Sequence, residues 1–257
     1  MKVLCVGDVV GRPGLDFFCE VIMGLKQKTG ADAVIVNGEN SDDFGVGLSR
    51  AGAEALLQYA DVVTTGNHSH RCADESLYEE NERILHPANL PFTQKASGCC
   101  LVDTGRNGLL KVINLAGVAW MEPLDNPFAR ADELLSYGEA RYTIVDIHAE
   151  STAEKKALAF YLDGRVSAVF GTHTHVQTAD EQVLPQGTGY ITDAGMTGPV
   201  CSVIGVQPSL AVQKQRTHMP VRFKVAEGPC MLNAVLFVLD DTTGLCSEVK
   251  RIDFRGY

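Results

Sequence analysis

The chain has 257 residues, of which 45% are hydrophobic and 21% are charged, a composition typical of a globular protein with a large core. No apolar run approaches the roughly 20 residues that a membrane-spanning helix needs. The formal net charge of −10 argues against a protein that wraps duplex nucleic acid, which is normally basic. It does not argue against binding of small anions, because bound metal cations can reverse the local charge of a site.

The N-terminus begins with a short apolar run that leads directly into Asp8. A secretory signal would continue for longer and end in a small-residue cleavage site, so we interpret this run as a buried strand and expect a cytoplasmic protein. The eight cysteines show neither a zinc-ribbon spacing nor a disulfide framework. We therefore expect most of them to be buried, reduced thiols.

In the first half of the chain, short apolar runs alternate with segments whose apolar residues have helical spacing. The pattern predicts strands at 2–10, 33–37 and 61–65, and helices at 13–28, 49–59 and 76–85. Pro13 suits the first turn of its helix, where a missing N–H costs nothing. Alternation of strand, helix and strand implies a parallel sheet with right-handed crossovers.

The second half of the chain is richer in strands. Residues 99–103 and 110–115 predict a hairpin with its turn at 104–108. Ser151 and Glu154 form a capping box that opens a helix running through residue 162. Further strands are predicted at 141–147, 166–170, 189–192, 221–224, 231–239 and 247–253. No linker or repeat is visible, so we expect a single α/β domain over residues 1–257, with two packed sheets flanked by helices.

Polar side chains follow five of the predicted strands at their C-terminal ends. Ligands of open α/β sheets bind at this edge, so the five strands are expected to deliver two acids, two amides and four imidazoles to one place. The residues concerned are Asp8, Glu39, Asn40, Asn67, His68, His148, His173 and His175.

These side chains favour a pair of metal ions. Carboxylate oxygens bind hard cations, and neutral imidazole suits iron, zinc or manganese. Two metals about 3.5–4 Å apart can activate a water between them and hold both the attacking and the leaving oxygen of an in-line displacement. His173 and His175 form the strongest pair, because i and i+2 residues of an extended segment point the same way.

Each of the other residues has a structural alternative when it is considered alone. Asp8 could be a turn or helix-cap residue, and Glu39 and Asn40 could be polar residues of a loop. Asn67 could belong to a turn, since Asn and Gly favour the left-handed conformation. His148 could be a hydrogen-bonded structural histidine. The combination is much less easily explained in this way than any single member.

The motifs that contain these residues resemble, in order, the signature blocks of the calcineurin-like metallophosphoesterase superfamily, and more narrowly those of YmdB-type phosphoesterases. The similarity extends over nearly the whole chain, and it implies a two-sheet α/β/β/α sandwich. The superfamily motifs are GD at 7–8, GEN at 38–40, GNH at 66–68, the single His148 and GTHTH at 171–175. The longer motifs that are similar to the YmdB type are GDVVG at 7–11, VNGEN at 36–40, GTHTHVQTAD at 171–180 and, outside these residues, TDAGMTGP at 192–199.

The resemblance implies a role for each residue. One metal would be held by Asp8, Glu39, Asn40 and His175, and the other by Glu39, Asn67, His148 and His173, with Glu39 as the bridge. His68 would lie outside the ligand set and protonate the departing oxygen, or stabilise charge there.

Two positions differ from the pattern of the superfamily, and a third differs from that of the YmdB-type subgroup. The superfamily usually has a histidine where Val10 stands and an aspartate where Glu39 stands. Both departures match the YmdB-type subgroup, in which Asn40 supplies the missing ligand. His70 occupies a position where we expect a Trp or a similar aromatic residue. We interpret His70 as a surface residue, with contact to substrate or metal as the alternative.

The resemblance also implies a reaction, because the subgroup is associated with hydrolysis of phosphodiesters, notably 2′,3′-cyclic nucleotides, and with iron or manganese. We therefore expect a dinuclear phosphodiesterase in which a metal-bridging hydroxide attacks phosphorus and His68 protonates the leaving ribose oxygen. Zinc and magnesium are the alternative metals.

Alternative functions stay open at this point. The same site could act on phosphomonoesters or phosphoproteins, or the chain could be a regulatory metal-binding protein that responds to nucleotides with little turnover. A purely structural metal site would normally contain clustered cysteines. A role related to RNA is also open, whereas no membrane partner is expected. The apolar segment 115–124, with Trp120 and Met121, is either an interface of a homo-oligomer or a core loop.

Overall fold

The computed structural model describes residues 1–69, 76–90, 98–122 and 124–256, and it forms two β-sheets packed between helices. The first half contains β1 (Lys2–Val6), β2 (Asp8–Val9), α1 (Gly11–Thr29), β3 (Ala33–Asn37), α2 (Arg50–Leu57), β4 (Val62–Thr64), α3 (Ser76–Glu80) and β5 (Ile84–Leu85). The second half contains β6 (Cys99–Asp103), β7 (Leu109–Ala116), α4 (Pro127–Leu135), β8 (Tyr142–His148), α5 (Thr152–Tyr161), β9 (Ala168–Thr172), β10 (Gln182–Val183), β11 (Gly189–Ile191), β12 (Met196–Pro199), α6 (Pro208–Thr217), β13 (Cys230–Leu239) and β14 (Cys246–Arg255).

The first sheet has the strand order β2-β12-β13-β1-β3-β4-β5, with β14 added on β13. Its strands β1, β3, β4 and β5 are parallel, as the alternation of strands and helices predicts. The second sheet has the order β10-β11-β9-β8-β7-β6, and its four central strands are also parallel. The carboxyl ends of both sets of parallel strands meet at the same edge of the molecule, where contacts such as Asn37–Asp146 join the two sheets.

Both faces of the central strands are buried, which explains their nearly continuous hydrophobic sequences. In β1, Val3 and Cys5 face the second sheet, whereas Leu4 and Val6 pack against α1 and α2. On the far side of the second sheet, residues such as Ile113 pack against α4 and α5. The layers are therefore helix, sheet, sheet, helix.

Several predicted boundaries are wrong for identifiable reasons. The strand predicted at 2–10 is two strands, because the chain turns at Gly7, where a Cβ would lie 2.1 Å from the carbonyl oxygen of Gly195. The helix predicted at 76–85 ends at Glu80, because Ile84–Leu85 pairs with β4. The strand predicted at 221–224 is absent from this described segment, where only the following residue, Val225, forms an isolated bridge.

The sequence patterns also missed four elements, namely α4, α6, β10 and β12. The start of α4 carries a clear signal, since Asn126 caps it by accepting a hydrogen bond from Phe128 N at 2.9 Å and Pro127 occupies its first turn. The segment predicted as an interface or a core loop is buried only in part, and its role as an interface stays a prediction. Leu115 is buried and Met121 packs against the core, whereas Trp120 is 90% exposed.

Among the described residues, no helix is long and apolar enough to cross a bilayer.

Candidate metal centre

The structure brings all eight predicted site residues together at the carboxyl edge of the parallel strands. Asp8 begins β2 directly after β1, Glu39 and Asn40 follow β3, Asn67 and His68 follow β4, His148 ends β8, and His173 and His175 follow β9. Each side chain contacts at least one other member of the set. Their roles as ligands or acid stay predictions, and His70 lies outside the described residues.

Three ligand-type atoms converge on Nε2 of His148. Oε1 of Glu39 lies 3.0 Å away, Oδ1 of Asn67 3.1 Å and Nδ1 of His173 3.0 Å. An imidazole nitrogen carries at most one proton, so it cannot donate a hydrogen bond to all three atoms. Glu39, His148 and His173 each offer a ligand atom within 4.8 Å of the others. Side-chain donors that converge in this way can hold a cation.

The contacts of Nδ1, on the opposite side of the His148 ring, determine which ring nitrogen carries the proton. Nδ1 lies 2.9 Å from Oγ1 of Thr172, and that hydroxyl donates to Oδ1 of Asp146 at 2.8 Å. Because the hydroxyl proton is already directed at Asp146, the Thr172 oxygen accepts from Nδ1–H. In the neutral ring, Nε2 therefore presents its lone pair to the site, as a metal ligand must.

His173 and His175 show the same arrangement. Nε2 of His173 lies 3.2 Å from a carboxylate oxygen of Glu150, and Nδ1 of His175 lies 2.9 Å from the carbonyl oxygen of Ile204. Both outer partners can only accept hydrogen bonds, so in each neutral ring the nitrogen that faces the site keeps its lone pair. No sequence pattern had selected Glu150, Ile204 or the Asp146–Thr172 pair as partners of these rings.

Asp8 supplies the clearest sign of a missing partner. Its Oδ2 accepts a hydrogen bond from the backbone N–H of His173 at 3.0 Å, whereas Oδ1 is buried and has no hydrogen-bond partner in the described part of the chain. Nε2 of His175 lies 3.8 Å from this oxygen. A buried carboxylate oxygen without a partner is costly, and a cation beside Asp8 and His175 removes that cost. The donor set thus fits metal ions.

Glu39 contacts both groups of residues. Its Oε1 lies 3.0 Å from Nε2 of His148 and accepts from Nδ2 of Asn40 at 3.4 Å. Nδ2 of Asn40 in turn lies 3.1 Å from Nε2 of His175. The carboxylate of Glu39 thus lies between the cluster around His148 and the cluster around Asp8.

The buried charges perturb one another strongly. Burial raises the pKa of Glu39, but His148 and His68 outweigh it and bring the pKa down to about 2. Burial lowers the pKa of His148, but Glu39 and Asp8 raise it to about 9. Burial and the neighbouring His148 lower the pKa of His173 to about 3. Without metal, the site therefore holds an anionic Glu39, a neutral His173 and a protonated His148, whose proton a cation would displace.

The backbone around the site is constrained at two places. A Cβ on Gly66 would lie 2.1 Å from Oε2 of Glu39 and 2.3 Å from Nε2 of His148. His173 and His175 have φ angles of +97° and +62°, so the prediction that they share an extended segment is wrong. Positive φ at residues other than glycine costs about 1–3 kcal/mol each and persists only where the surroundings enforce it.

His68 occupies the open side of the centre. Its Nδ1 lies 2.9 Å from Oδ1 of Asn40 and 3.4 Å from Oε1 of Glu39, and its side chain is 21% exposed. It can therefore contact the site on one side and a bound molecule on the other. A cavity of about 900 Å³ lies elsewhere, near the start of β7 and β8, where Lys111 and Thr143 line it.

Comparison with known proteins places the chain among hydrolases. It is 43% identical to the 2′,3′-cyclic-nucleotide 2′-phosphodiesterase of Bacillus subtilis over 98% of this chain and 96% of the relative. It is 34% identical to a putative phosphatase/phosphodiesterase of Mycoplasma pneumoniae over 95% of this chain and 89% of the relative. Because both relatives are named as phosphodiesterases or phosphatases and match nearly the whole chain, the chain is an enzyme of the hydrolase class.

Solved structures agree over the whole fold. A hypothetical protein from Thermus thermophilus matches with a TM-score of 0.90 and 37% identity, covering 99% of both chains. A phosphatase from Mycoplasma pneumoniae matches with a TM-score of 0.92 and 33% identity, covering 99% of this chain and 93% of the other. The family model described as YmdB-like protein matches residues 4–252, and the chain belongs to that family. The resemblance to YmdB-type proteins is thereby confirmed.

Proposed function

We propose that this chain is a dinuclear metal-dependent phosphodiesterase of the calcineurin-like type, a single domain over residues 1–257 that hydrolyses 2′,3′-cyclic nucleotides. The observation that carries the proposal is the convergence of Glu39, Asn67 and His173 on Nε2 of His148. The name of the Bacillus subtilis relative supports the choice of substrate.

The two ions would be held by overlapping sets of side chains. Asp8, Glu39, Asn40 and His175 would hold one ion, and Glu39, Asn67, His148 and His173 the other. The position of Glu39 between the two clusters supports its role as the bridge. Mixed oxygen and imidazole donors suit iron or manganese, with zinc and magnesium as alternatives.

When bound, the metals would lower the pKa of a coordinated water and stabilise charge on the phosphoryl oxygens. The chain itself must then supply the proton for the leaving oxygen. Oδ1 of Asn40 can only accept hydrogen bonds, so Nδ1 of His68 donates to it and the ring is held in one orientation. As an imidazolium, His68 can then deliver a proton from Nε2 to the ribose oxygen.

The test is hydrolysis of 2′,3′-cyclic AMP by protein reconstituted with iron or with manganese, compared with a His68→Ala variant. We expect the variant to keep its metals and to lose about 10²- to 10⁴-fold in kcat, the usual contribution of a general acid. Wild-type protein that is inactive with both metals would overturn the substrate assignment. A variant with the full rate would overturn the role of His68.

A phosphomonoesterase or phosphoprotein phosphatase with the same site is the second candidate, because the Mycoplasma pneumoniae relative is named as a putative phosphatase/phosphodiesterase. Nucleoside monophosphates and phosphopeptides, assayed beside the cyclic diester at equal concentration, separate the two candidates. The proposal requires the highest kcat/KM for the cyclic diester.

A further inference from the structure

The motif at 192–199 supplies none of the predicted metal ligands, yet its Asp193 lies directly behind them. Asp193 is fully buried after β11. Its Oδ2 accepts from Nζ of Lys155 at 2.8 Å and from both the backbone N–H and the hydroxyl of Thr174, at 3.1 and 2.8 Å. Its Oδ1 accepts from the backbone N–H of Gly195 at 2.9 Å. Thr174 is the residue between His173 and His175.

Lys155 and Asp193 form an ion pair in which both side chains are fully buried. A buried ion pair gains little net stability over a well-packed apolar pair, so stability alone does not account for it. Lys155 reaches Asp193 from α5 by passing Gly171, where a Cβ would lie 2.8 Å from Cδ of the lysine. The helix, the ion pair and the loop after β9 are thus packed as one unit.

Asp193 also holds the far end of the same loop through its backbone. Its carbonyl oxygen accepts from the backbone N–H of Thr178 at 3.1 Å, and its N–H donates to the Thr178 hydroxyl at 2.9 Å. His175 lies between the attachments at Thr174 and Thr178, His173 lies directly before them, and both histidines have positive φ. Strained residues of this kind need surroundings that enforce the conformation, and Asp193 provides contacts on both sides of His175.

We propose that Asp193, neutralised by Lys155 and bonded to Thr174, is the positioning residue that fixes His173 and His175 for both metal ions at once. This inference rests on the proposed function, because it takes the two histidines to be ligands of different ions. Loosening the loop weakens the binding of both metal ions together. Removal of His175 alone weakens mainly the binding of the ion beside Asp8.

The test measures metal binding rather than activity. Metal-free protein is titrated with Mn²⁺ by calorimetry, and bound metal is counted by elemental analysis. Thr174→Val and Asp193→Asn are the test variants, and Thr174→Val removes only the hydroxyl. Because Thr174 is partly exposed, Thr174→Val should fold even where Asp193→Asn does not. We expect each variant to bind both ions about 10- to 100-fold more weakly, the usual cost of losing a partner of a metal ligand. Thr174→Ser keeps the hydroxyl and should bind as the wild type does.

Asp163 offers a matched control at the other end of β11. It is buried and accepts from the backbone N–H groups of Gln186 and Thr188 at 3.0 and 3.2 Å, so Asp163→Asn perturbs a similar anchor away from the histidines. We expect Asp163→Asn to lower the melting temperature and leave Mn²⁺ affinity unchanged.

Three results would overturn the inference, and they can be distinguished. Wild-type affinity for both ions in Thr174→Val would exclude a positioning role for the hydroxyl contact. Equal weakening in Asp163→Asn would show only a general loss of stability. Failure of the wild type itself to bind metal would overturn the proposed function and, with it, the premise of this inference.

Discussion

Replacement of Gly66 by alanine should remove the proposed metal centre without changing any functional group. The φ angle of Gly66 is not in the positive region, so the backbone itself accepts a side chain. The added methyl carbon, however, would lie 2.1 Å from Oε2 of Glu39 and 2.3 Å from Nε2 of His148, whereas ordinary contacts begin at 3.4 Å. Both predicted ligands would have to retreat by about 1 Å or more.

A displacement of that size is far beyond what metal coordination tolerates, since ligand distances hold to within about 0.2 Å. Loss of an indirect partner already costs about 10- to 100-fold in metal affinity, so we expect Gly66→Ala to lose about 100-fold or more. The crowding should also cost about 1–3 kcal/mol of the free energy of unfolding, which is typical of an overpacked site.

The assay is elemental analysis after reconstitution with manganese, together with hydrolysis of 2′,3′-cyclic AMP and urea denaturation. Gly24→Ala in α1 is the control, because a Cβ there meets nothing within 4 Å. It should keep its metals and gain up to about 1 kcal/mol of stability from the better helix former. If Gly66→Ala binds metal and turns over as the wild type does, the placement of Glu39 and His148 as ligands is refuted.

Three further predictions concern stability and reactivity. Mn²⁺ at 100 times its Kd should raise the free energy of unfolding by about 2.7 kcal/mol per site, and Glu39→Gln should lose most of that gain in a thermal melt. In metal-free protein, the raised pKa of His148, about 9 against 6.5, contributes stability below pH 6.5 that is lost as the pH rises through 9. Urea midpoints should therefore fall from pH 6.5 to 8.5 more steeply in the wild type than in His148→Gln, and parallel curves would contradict this. Cys201 is exposed, whereas burial raises the pKa of Cys99 to about 11 and of Cys100 to about 12, so mass spectrometry of briefly alkylated native protein should find Cys201 modified before either.

The sequence predicted which polar side chains lie together better than it predicted the path of the chain. The eight residues were expected at one place because each comes at or just after the end of a predicted strand, and the carboxyl ends of parallel strands meet at one edge. The helix α4 could also have been found, since Asn126 and Pro127 form a standard helix start. By contrast, α6 buries only Ala211 among its residues and offers no apolar face to recognise.

The supporting contacts could not be predicted, because they join residues far apart in the chain. Lys155 and Asp193 are 38 positions apart, and Asn37 lies 109 positions from Asp146. No local pattern specifies such partners. Asp146 did carry a weak signal, as an acid in the middle of the apolar strand β8. The break at Gly7 has the same origin, since it depends on the backbone of Gly195 rather than on its neighbours.

The dinuclear centre is tested most directly by an anomalous-scattering map from crystals of the manganese-reconstituted protein. We expect two peaks about 3.5–4 Å apart, the spacing of dinuclear hydrolase sites. One should lie beside Asp8, Asn40 and His175 and the other beside Asn67, His148 and His173, with Glu39 contacting both. A single peak, or peaks away from Glu39, would contradict the dinuclear centre.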